Sequence, residues 1–141
     1  MDTWMGDAAF RSYAVCSTIL GIKLLAAASY TTIQRFRTRV FLSEEDARTL
    51  GGEVGEHPAV TRAIHVHRND LENIPLFWIV GLIFVLDGAS PAATAGWCWT
   101  FTASRLAHWA VYLAALQPWR AITYTVGYVA ILGMAVQILI P

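Results

Sequence analysis

The chain has 141 residues, of which 56% are hydrophobic and 14% charged, and its ten basic and ten acidic residues give no net charge. Soluble domains usually have about a quarter of their residues charged, so this composition excludes an ordinary soluble globular protein. The charge is also unevenly placed, because all ten acidic residues lie between Asp2 and Asp87. The two arginines of the apolar second half, Arg105 and Arg120, therefore have no carboxylate nearby in the sequence.

Four segments reach, or can be extended to, the length of about 20 mostly apolar residues that crosses a bilayer. We predict helices at about 13–33, 58–86, 92–116 and 118–140, all within one domain of residues 1–141. The second helix extends its apolar run back to Pro58, which suits a first helical turn. The third and fourth are joined only by about Gln117 and Pro118, which indicates a tight antiparallel hairpin. The sequence thus predicts an all-α integral membrane protein built as a four-transmembrane-helix bundle.

The positive charge is concentrated on one side of this predicted bundle. The first loop, at about 34–57, is rich in arginine, and the third connection leads into Arg120. The basic residues of the first loop are Arg35, Arg37, Arg39 and Arg48. Because cytoplasmic loops are enriched in Lys and Arg, we expect loops one and three to face the cytoplasm. The membrane would be either a bacterial inner membrane or the endoplasmic reticulum.

Three predicted helices carry polar stripes that approach the cytoplasmic side. At 100° per residue, these stripes are Arg62, His65, Arg68, Asn69 and Glu72 on helix two, Arg105, His108 and Tyr112 on helix three, and Arg120, Thr123 and Tyr124 on helix four. Such polar residues can simply join helices to one another. Ionisable groups within a membrane also face a bundle interior or a cavity. Several cations beside one carboxylate, an amide and two phenols predict a site for a small anion that also carries an amine.

Two further polar features are interpreted differently. Lys23 lies in the middle of the first helix, and Asp70 is its obvious partner on another face of helix two, so we predict a structural ion pair. His65 and His67 point about 160° apart on a helix and cannot share one metal ion. The pair His65 and His108 stays possible, but no cysteine or carboxylate cluster of the zinc type accompanies it. We therefore predict no metal site.

The segment Arg62-Ala-Ile-His-Val-His-Arg-Asn-Asp-Leu-Glu72 is the most specific motif. It resembles the Arg-x-x-Arg-x-His-x-Asn-Asp-x-Glu signature of the MAPEG family of membrane glutathione enzymes, whose branches include microsomal glutathione transferases and prostaglandin E synthases. The resemblance continues through the first predicted helix at 13–33 and through residues 43–47, 104–113 and 117–128, and so extends over nearly the whole chain. It implies a homotrimer of four-helix subunits with glutathione bound between neighbours on the cytoplasmic side.

The resemblance also implies which residues act. The residues implied to bind glutathione are Arg35, His65, Arg68, Asn69, Glu72, His108, Tyr112, Arg120 and Tyr124, with Arg35 reaching in from the adjacent subunit. Arg120 is expected nearest the sulfur as the catalytic cation, and Asp46 is expected to orient it or to assist proton transfer. Glutathione would be a substrate or a recycled cofactor, and a lipophilic electrophile would enter from the bilayer.

Three residues match different branches of the family, so the resemblance does not decide between the transferase and the prostaglandin E synthase branch. His65 stands where the prostaglandin branch has Arg, and Ala121 matches the transferase branch, whereas Tyr124 matches the prostaglandin branch better. Conjugation of glutathione to lipophilic electrophiles, as in detoxification, is the leading hypothesis. The alternatives are a glutathione-dependent isomerase of the prostaglandin E synthase type, in eicosanoid metabolism, and a non-catalytic membrane protein that binds lipid or scaffolds partners.

Overall fold

The computed structural model describes residues 7–140. This part of the chain forms five helices and one pair of very short strands. The elements are α1 Ala8–Thr38, β1 Val40–Phe41, α2 Glu44–Leu50, β2 Glu53–Val54, α3 Pro58–Leu86, α4 Pro91–Leu113 and α5 Trp119–Leu139. The strands pair in parallel through Val40 with Glu53 and Phe41 with Val54. Apart from this pairing, the described chain is all-α.

The starts of the long helices follow from local capping chemistry. The Asp7 carboxylate accepts a hydrogen bond from the Ala9 backbone N–H at the start of α1. His57 caps α3 and Ser90 caps α4, and a proline follows each cap directly, where its missing N–H costs nothing. Helix α5 begins after Pro118 without a side-chain cap. The N–H groups of Arg120, Ala121 and Ile122 donate instead to the backbone carbonyl oxygens of Leu116 and Pro118, and the positive end of the helix dipole lies at this end of α5.

The four long helices pack into one bundle in which α4 contacts α1 and α5, and α3 contacts α1, α4 and α5. At its centre the rings of Phe77 and Phe101 stack with centroids 4.4 Å apart and planes at 4°. Leu20 and Met134 are fully buried beside them. Large apolar residues also cover the outside of the bundle, for example Leu25 and Leu139. Such an exterior is costly in water and suits lipid.

Three of the described helices are long and apolar enough to cross a membrane, namely α1, α3 and α5. Helix α4 has 23 residues, which corresponds to about 34 Å at 1.5 Å per residue. Its buried residues include the polar side chains of Thr102, Ser104, Arg105 and His108.

The helix bounds differ from the predicted ranges at several ends. Helix α1 extends beyond 13–33 on both sides, because Asp7 caps its start and the mostly polar residues 34–38 continue the helix. Helix α4 ends at Leu113, three residues before the predicted end, because Ala115 adopts a left-handed conformation with φ 58°. The first loop is also folded, since it contains α2 and the strand pair.

Candidate active site

A cleft opens at the end of the bundle where α3 and α5 begin and α4 ends. Its volume is about 330 Å³. It is lined by Asn69, His108, Tyr112, Gln117, Arg120, Ala121, Tyr124 and Thr125. Five of the nine residues predicted to bind glutathione belong to this set. The polar stripes of three helices are therefore brought together in one place.

Arg105 lies behind this cleft and joins the three helices that form it. Its side chain is fully buried, and its Nη1 donates to Asn69 Oδ1 at 3.0 Å while Nη2 donates to the Tyr124 carbonyl oxygen at 3.1 Å. The guanidinium also lies 5.4 Å from the Tyr124 ring centroid and 5.5 Å from that of Phe101. A buried cation needs such partners, and here they come from α3, α4 and α5.

His108 is 2% exposed and is one of the residues that line the cleft. Its Nδ1 lies 3.1 Å from the Arg120 carbonyl oxygen and 3.1 Å from the Thr123 hydroxyl. Because a carbonyl oxygen only accepts, this hydrogen-bond pattern assigns the ring proton to Nδ1. Nε2 is buried and has no hydrogen-bond partner among the described residues, so in the neutral ring it is an acceptor without a donor.

Arg120 lies on the first turn of α5 and its side chain is held over the cleft. Its guanidinium carbon is 4.9 Å from the Tyr112 ring centroid, a distance typical of a cation–π contact. The side-chain amide oxygen of Gln117, when turned toward the guanidinium, accepts hydrogen bonds from Arg120 Nε at 2.9 Å and from Nη2 at 2.7 Å. Nη1 is not used in these two bonds. Arg120 thus keeps a donor and its charge for a ligand.

Three residues of the polar stripe on α3, His65, Arg68 and Glu72, do not line this cleft. Arg68 and Glu72 form an ion pair with Nε and Oε1 3.1 Å apart, and their side chains are 77% and 58% exposed. His65 instead lines a second pocket of about 520 Å³. The residues around it are Glu56, Pro58, Thr61, Arg62, His65, Tyr112, Ala115 and Arg120. Since Tyr112 and Arg120 line both spaces, the two form one continuous polar region.

Two predicted site residues lie apart from the cleft in the single subunit. Arg35 is in the last turn of α1 and lines neither polar pocket. Asp46 is exposed in the first turn of α2 and forms no ion pair with Arg120 within residues 7–140. Their predicted roles would require a neighbouring subunit.

Lys23 and Asp70 meet inside the bundle. The ammonium of Lys23 donates to Asp70 Oδ2, and both side chains are almost completely buried. Neither residue lines the cleft. Within residues 7–140 no cluster of three His, Cys, Asp or Glu side chains is arranged for a metal, and the absence of a metal stays a prediction.

An apolar groove runs along the outside of α4 and α5 next to the cleft. Its lining is Trp97, Thr100, Ala121, Ile122, Thr125, Val126, Val129 and Ala130. Ala121 and Thr125 also line the polar cleft. A lipophilic molecule in the groove would therefore lie next to a polar molecule in the cleft.

The sequence predicts no specific role for two residues that organise this site. Arg105 was recognised as part of a stripe, and the missing carboxylate in its half of the chain was the signal that it needs other partners. Gln117 was read only as part of a short connection. Its position three residues before Arg120 gave no periodic signal, because it precedes the helix.

Comparison with known proteins agrees with the geometry. Residues 13–140 match the model of the MAPEG family. The chain is 35% identical to human prostaglandin E synthase over 138 residues, which covers 96% of this chain and 91% of that protein. It is 34% identical to human microsomal glutathione S-transferase 1, covering 96% of this chain and 92% of the relative. The mouse microsomal glutathione S-transferase 1 is 36% identical over 93% of this chain and 87% of its own length.

These matches confirm the resemblance found in the sequence and cover almost the whole chain. With its three apolar helices, the protein is a membrane protein, and it belongs to the MAPEG family.

Proposed function

We propose that this protein is a membrane glutathione transferase that conjugates the glutathione thiolate to lipophilic electrophiles. The observation that carries the proposal is the junction of two spaces at Ala121 and Thr125. On one side lies a polar cleft with a cation, and on the other an apolar groove. Relatives of similar identity include a glutathione transferase and a prostaglandin E synthase.

Glutathione carries two carboxylates, one ammonium and one thiol, and its partners would come from the polar region and from the Arg68–Glu72 pair on the exposed face of α3. Arginines clamp carboxylates bidentately, a role that suits Arg68. Glu72 suits the ammonium. Asn69, Tyr112 and Tyr124 offer hydrogen bonds along the peptide. His108 Nε2 has no partner among the described residues and can accept from an N–H group.

Arg120 is the proposed catalytic cation. A free thiol has a pKa of about 8.5, so only a few per cent is thiolate at pH 7. A guanidinium beside the sulfur favours the thiolate, and the uncapped start of α5 adds the positive end of a helix dipole. Lowering the thiol pKa by two units would correspond to about 2.7 kcal/mol.

In the reaction, the thiol gives its proton to solvent or to a nearby base, with Asp46 of a neighbouring subunit the candidate. The sulfur lone pair then forms a bond to the electrophilic carbon, and the leaving group departs with its bonding electrons. The apolar groove would hold the electrophile, which can reach it from lipid without crossing water.

We further propose that four helices cross the membrane and that the protein is a homotrimer. The exposed Arg68–Glu72 pair would face lipid in a single subunit, which is costly, whereas a neighbouring subunit would cover it. Assembly would also bring Arg35 and Asp46 toward a neighbour's cleft. The arginine-rich first loop supports a cytoplasmic location for this end of the bundle, and the membrane that we propose is a bacterial inner membrane or the endoplasmic reticulum.

The second candidate is a glutathione-dependent isomerase acting on a lipid endoperoxide. Its support is the 35% identity with prostaglandin E synthase. In that case glutathione is regenerated in each cycle, so it would not be consumed.

Two measurements on detergent-solubilised protein separate these candidates. Calorimetry measures glutathione binding, and activity is then compared with 1-chloro-2,4-dinitrobenzene and with a lipid endoperoxide. We expect binding, and conjugation that consumes glutathione. Isomerisation without glutathione consumption would favour the second candidate, and absence of glutathione binding would reject both.

A further inference from the structure

Gly127 on α5 lies directly against the side chain of Arg105. A Cβ atom built at this position would lie 2.7 Å from Arg105 Nη2, 2.9 Å from Arg105 Nε and 2.7 Å from Ser104 Oγ. Real Cβ atoms essentially never come within 3.0 Å of such neighbours. The absence of a side chain at Gly127 is therefore what leaves room for the Arg105 guanidinium beside α5.

The guanidinium that occupies this room connects two walls of the cleft. Its Nη1 holds the side-chain oxygen of Asn69 on α3, and its Nη2 holds the main-chain oxygen of Tyr124 on α5. Asn69 and Tyr124 both line the cleft, whereas Arg105 does not. Arg105 therefore acts on the cleft through the two residues that it holds.

We propose that Gly127 is a positioning residue of the glutathione site: by leaving space for Arg105 to cross from α4 to α5, it fixes the separation of Asn69 and Tyr124. The inference rests on the proposed function, because it assigns both of those residues to glutathione. A methyl group at residue 127 forces the guanidinium to move. The rings of Phe101 and Tyr124 lie 5.5 and 5.4 Å from the guanidinium carbon and restrict this movement, so we expect at least one of its two hydrogen bonds to break.

The expected effect is on glutathione affinity. Hydrogen bonds to charged groups contribute enough that losing one corresponds to about tenfold in an equilibrium constant. We expect Gly127→Ala to weaken glutathione binding about tenfold, measured by calorimetry in detergent. Arg120 lies on the first turn of α5 with its own partners, so the kcat at saturating glutathione should fall much less than kcat/KM.

Gly133→Ala is the matched control. It lies on the same helix, and its added Cβ would meet the Trp97 ring at 2.6 Å, a similar overlap at a site away from Arg105. We expect this variant to lose thermal stability and to keep the glutathione affinity of the wild type. An equal loss of affinity in Gly133→Ala would show that general α4–α5 packing is responsible, and would overturn the proposal.

Two further variants identify the contact that matters. Adding Ser104→Ala to Gly127→Ala removes the hydroxyl overlap and leaves the guanidinium overlap, so affinity should stay low. Arg105→Lys keeps a buried charge without the planar fork that bonds both partners. It should also weaken glutathione binding, and the double variant Arg105→Lys with Gly127→Ala should bind no more weakly than the weaker single variant.

The proposal is overturned if Gly127→Ala binds glutathione as tightly as the wild type, or if Ser104→Ala restores its affinity. Additive losses in the double variant would also contradict it. Should Gly127→Ala fail to fold, Arg105→Lys with wild-type affinity is the contradicting result. If the wild-type protein itself binds no glutathione, the proposed function fails, and that outcome is distinct from each of the others.

Discussion

Arg120 has a defined setting within the single subunit. The Tyr112 ring lies under its guanidinium, the Gln117 amide oxygen bonds two of its nitrogens, and its own carbonyl oxygen is bonded by His108. These contacts restrict a long and otherwise flexible side chain. A cation held in place costs less to organise when a charged ligand arrives.

The role of Gln117 gives a test at this scale. Gln117→Glu keeps the shape of the side chain and places a carboxylate against the guanidinium. The added negative charge should offset part of the Arg120 charge and raise the pKa of the bound glutathione thiol. Conjugation at neutral pH should therefore fall, and the midpoint of the pH–rate profile should move upward. The isosteric Gln117→Met removes the hydrogen bonds without adding charge and serves as the control. An unchanged midpoint in Gln117→Glu would mean that Gln117 does not act on the thiolate through Arg120.

The sequence predicts the position of these side chains on their helices but not the role of each one. Helical periodicity placed Arg105, His108 and Tyr112 on one face, because that depends only on 100° per residue. It could not separate them by role, since burial depends on how the helices pack. Arg105 is fully buried behind the cleft, whereas Tyr112 is only partly buried and lines it.

At the scale of the helices, α1 and α3 are joined by a charged contact deep in the bundle. Lys23 and Asp70 lie on these two helices and are shielded from solvent. Taking two charges out of water is expensive, and their attraction mainly offsets that cost. Such a pair specifies which faces of α1 and α3 meet more than it adds stability.

This pair leads to a stability prediction. Lys23→Met leaves the Asp70 carboxylate buried without its partner, and we expect a loss of about 3 kcal/mol in the free energy of unfolding. The double variant Lys23→Met with Asp70→Leu should regain most of that loss. Thermal unfolding in detergent and the conjugation rate check both. If Lys23→Met abolishes turnover at unchanged stability, the pair is functional and the structural interpretation is wrong.

The elements themselves were predictable to different degrees. The long helices follow from apolar length, and the starts of α3 and α4 follow from a cap and a proline. The elements of the first loop could not be predicted from hydrophobic periodicity, because α2 has only seven residues and each strand only two. Their formation depends on contacts such as Arg39 Nη1 donating to the Leu50 carbonyl oxygen at 2.9 Å. A hydrogen bond of this kind, between residues separated in the chain, produces no periodic pattern in the sequence.

At the scale of the whole molecule, the single subunit has polar groups on a surface that its apolar helices place in lipid. The Arg68–Glu72 pair is the clearest case, since both side chains are mostly exposed. Arg35 and Asp46 also lie away from the cleft, although the family resemblance implies that both act there. A neighbouring copy packed against α3 would account for both observations.

We therefore expect a trimer in mild detergent, measured by native mass spectrometry or by light scattering corrected for bound detergent. Arg68→Leu combined with Glu72→Leu would remove the reason for covering this surface and should weaken the assembly. A monodisperse monomer or dimer that retains full conjugation activity would refute the trimer.

The central claim is that this protein binds glutathione as a thiolate stabilised by Arg120. An arginine that binds a carboxylate of glutathione, for which Arg68 is the main candidate, interacts with a charge that is the same before and after the thiol ionises. Arg68→Leu should therefore raise the KM for glutathione. Arg120 meets a charge present only in the thiolate. Arg120→Leu should therefore lower kcat at pH 7 by about tenfold or more while glutathione affinity changes much less. Raising the pH should recover part of the rate, because the thiol then ionises unaided.

The deciding measurement is the pH–rate profile of Arg120→Leu beside that of Arg68→Leu, with glutathione affinity by calorimetry for both. We expect a rate defect in Arg120→Leu that shrinks as the pH rises. A loss of binding in proportion to the loss of rate, with no recovery at high pH, would contradict it. Arg120 would then be a carboxylate clamp, and Tyr124 would be the next group to test beside the sulfur.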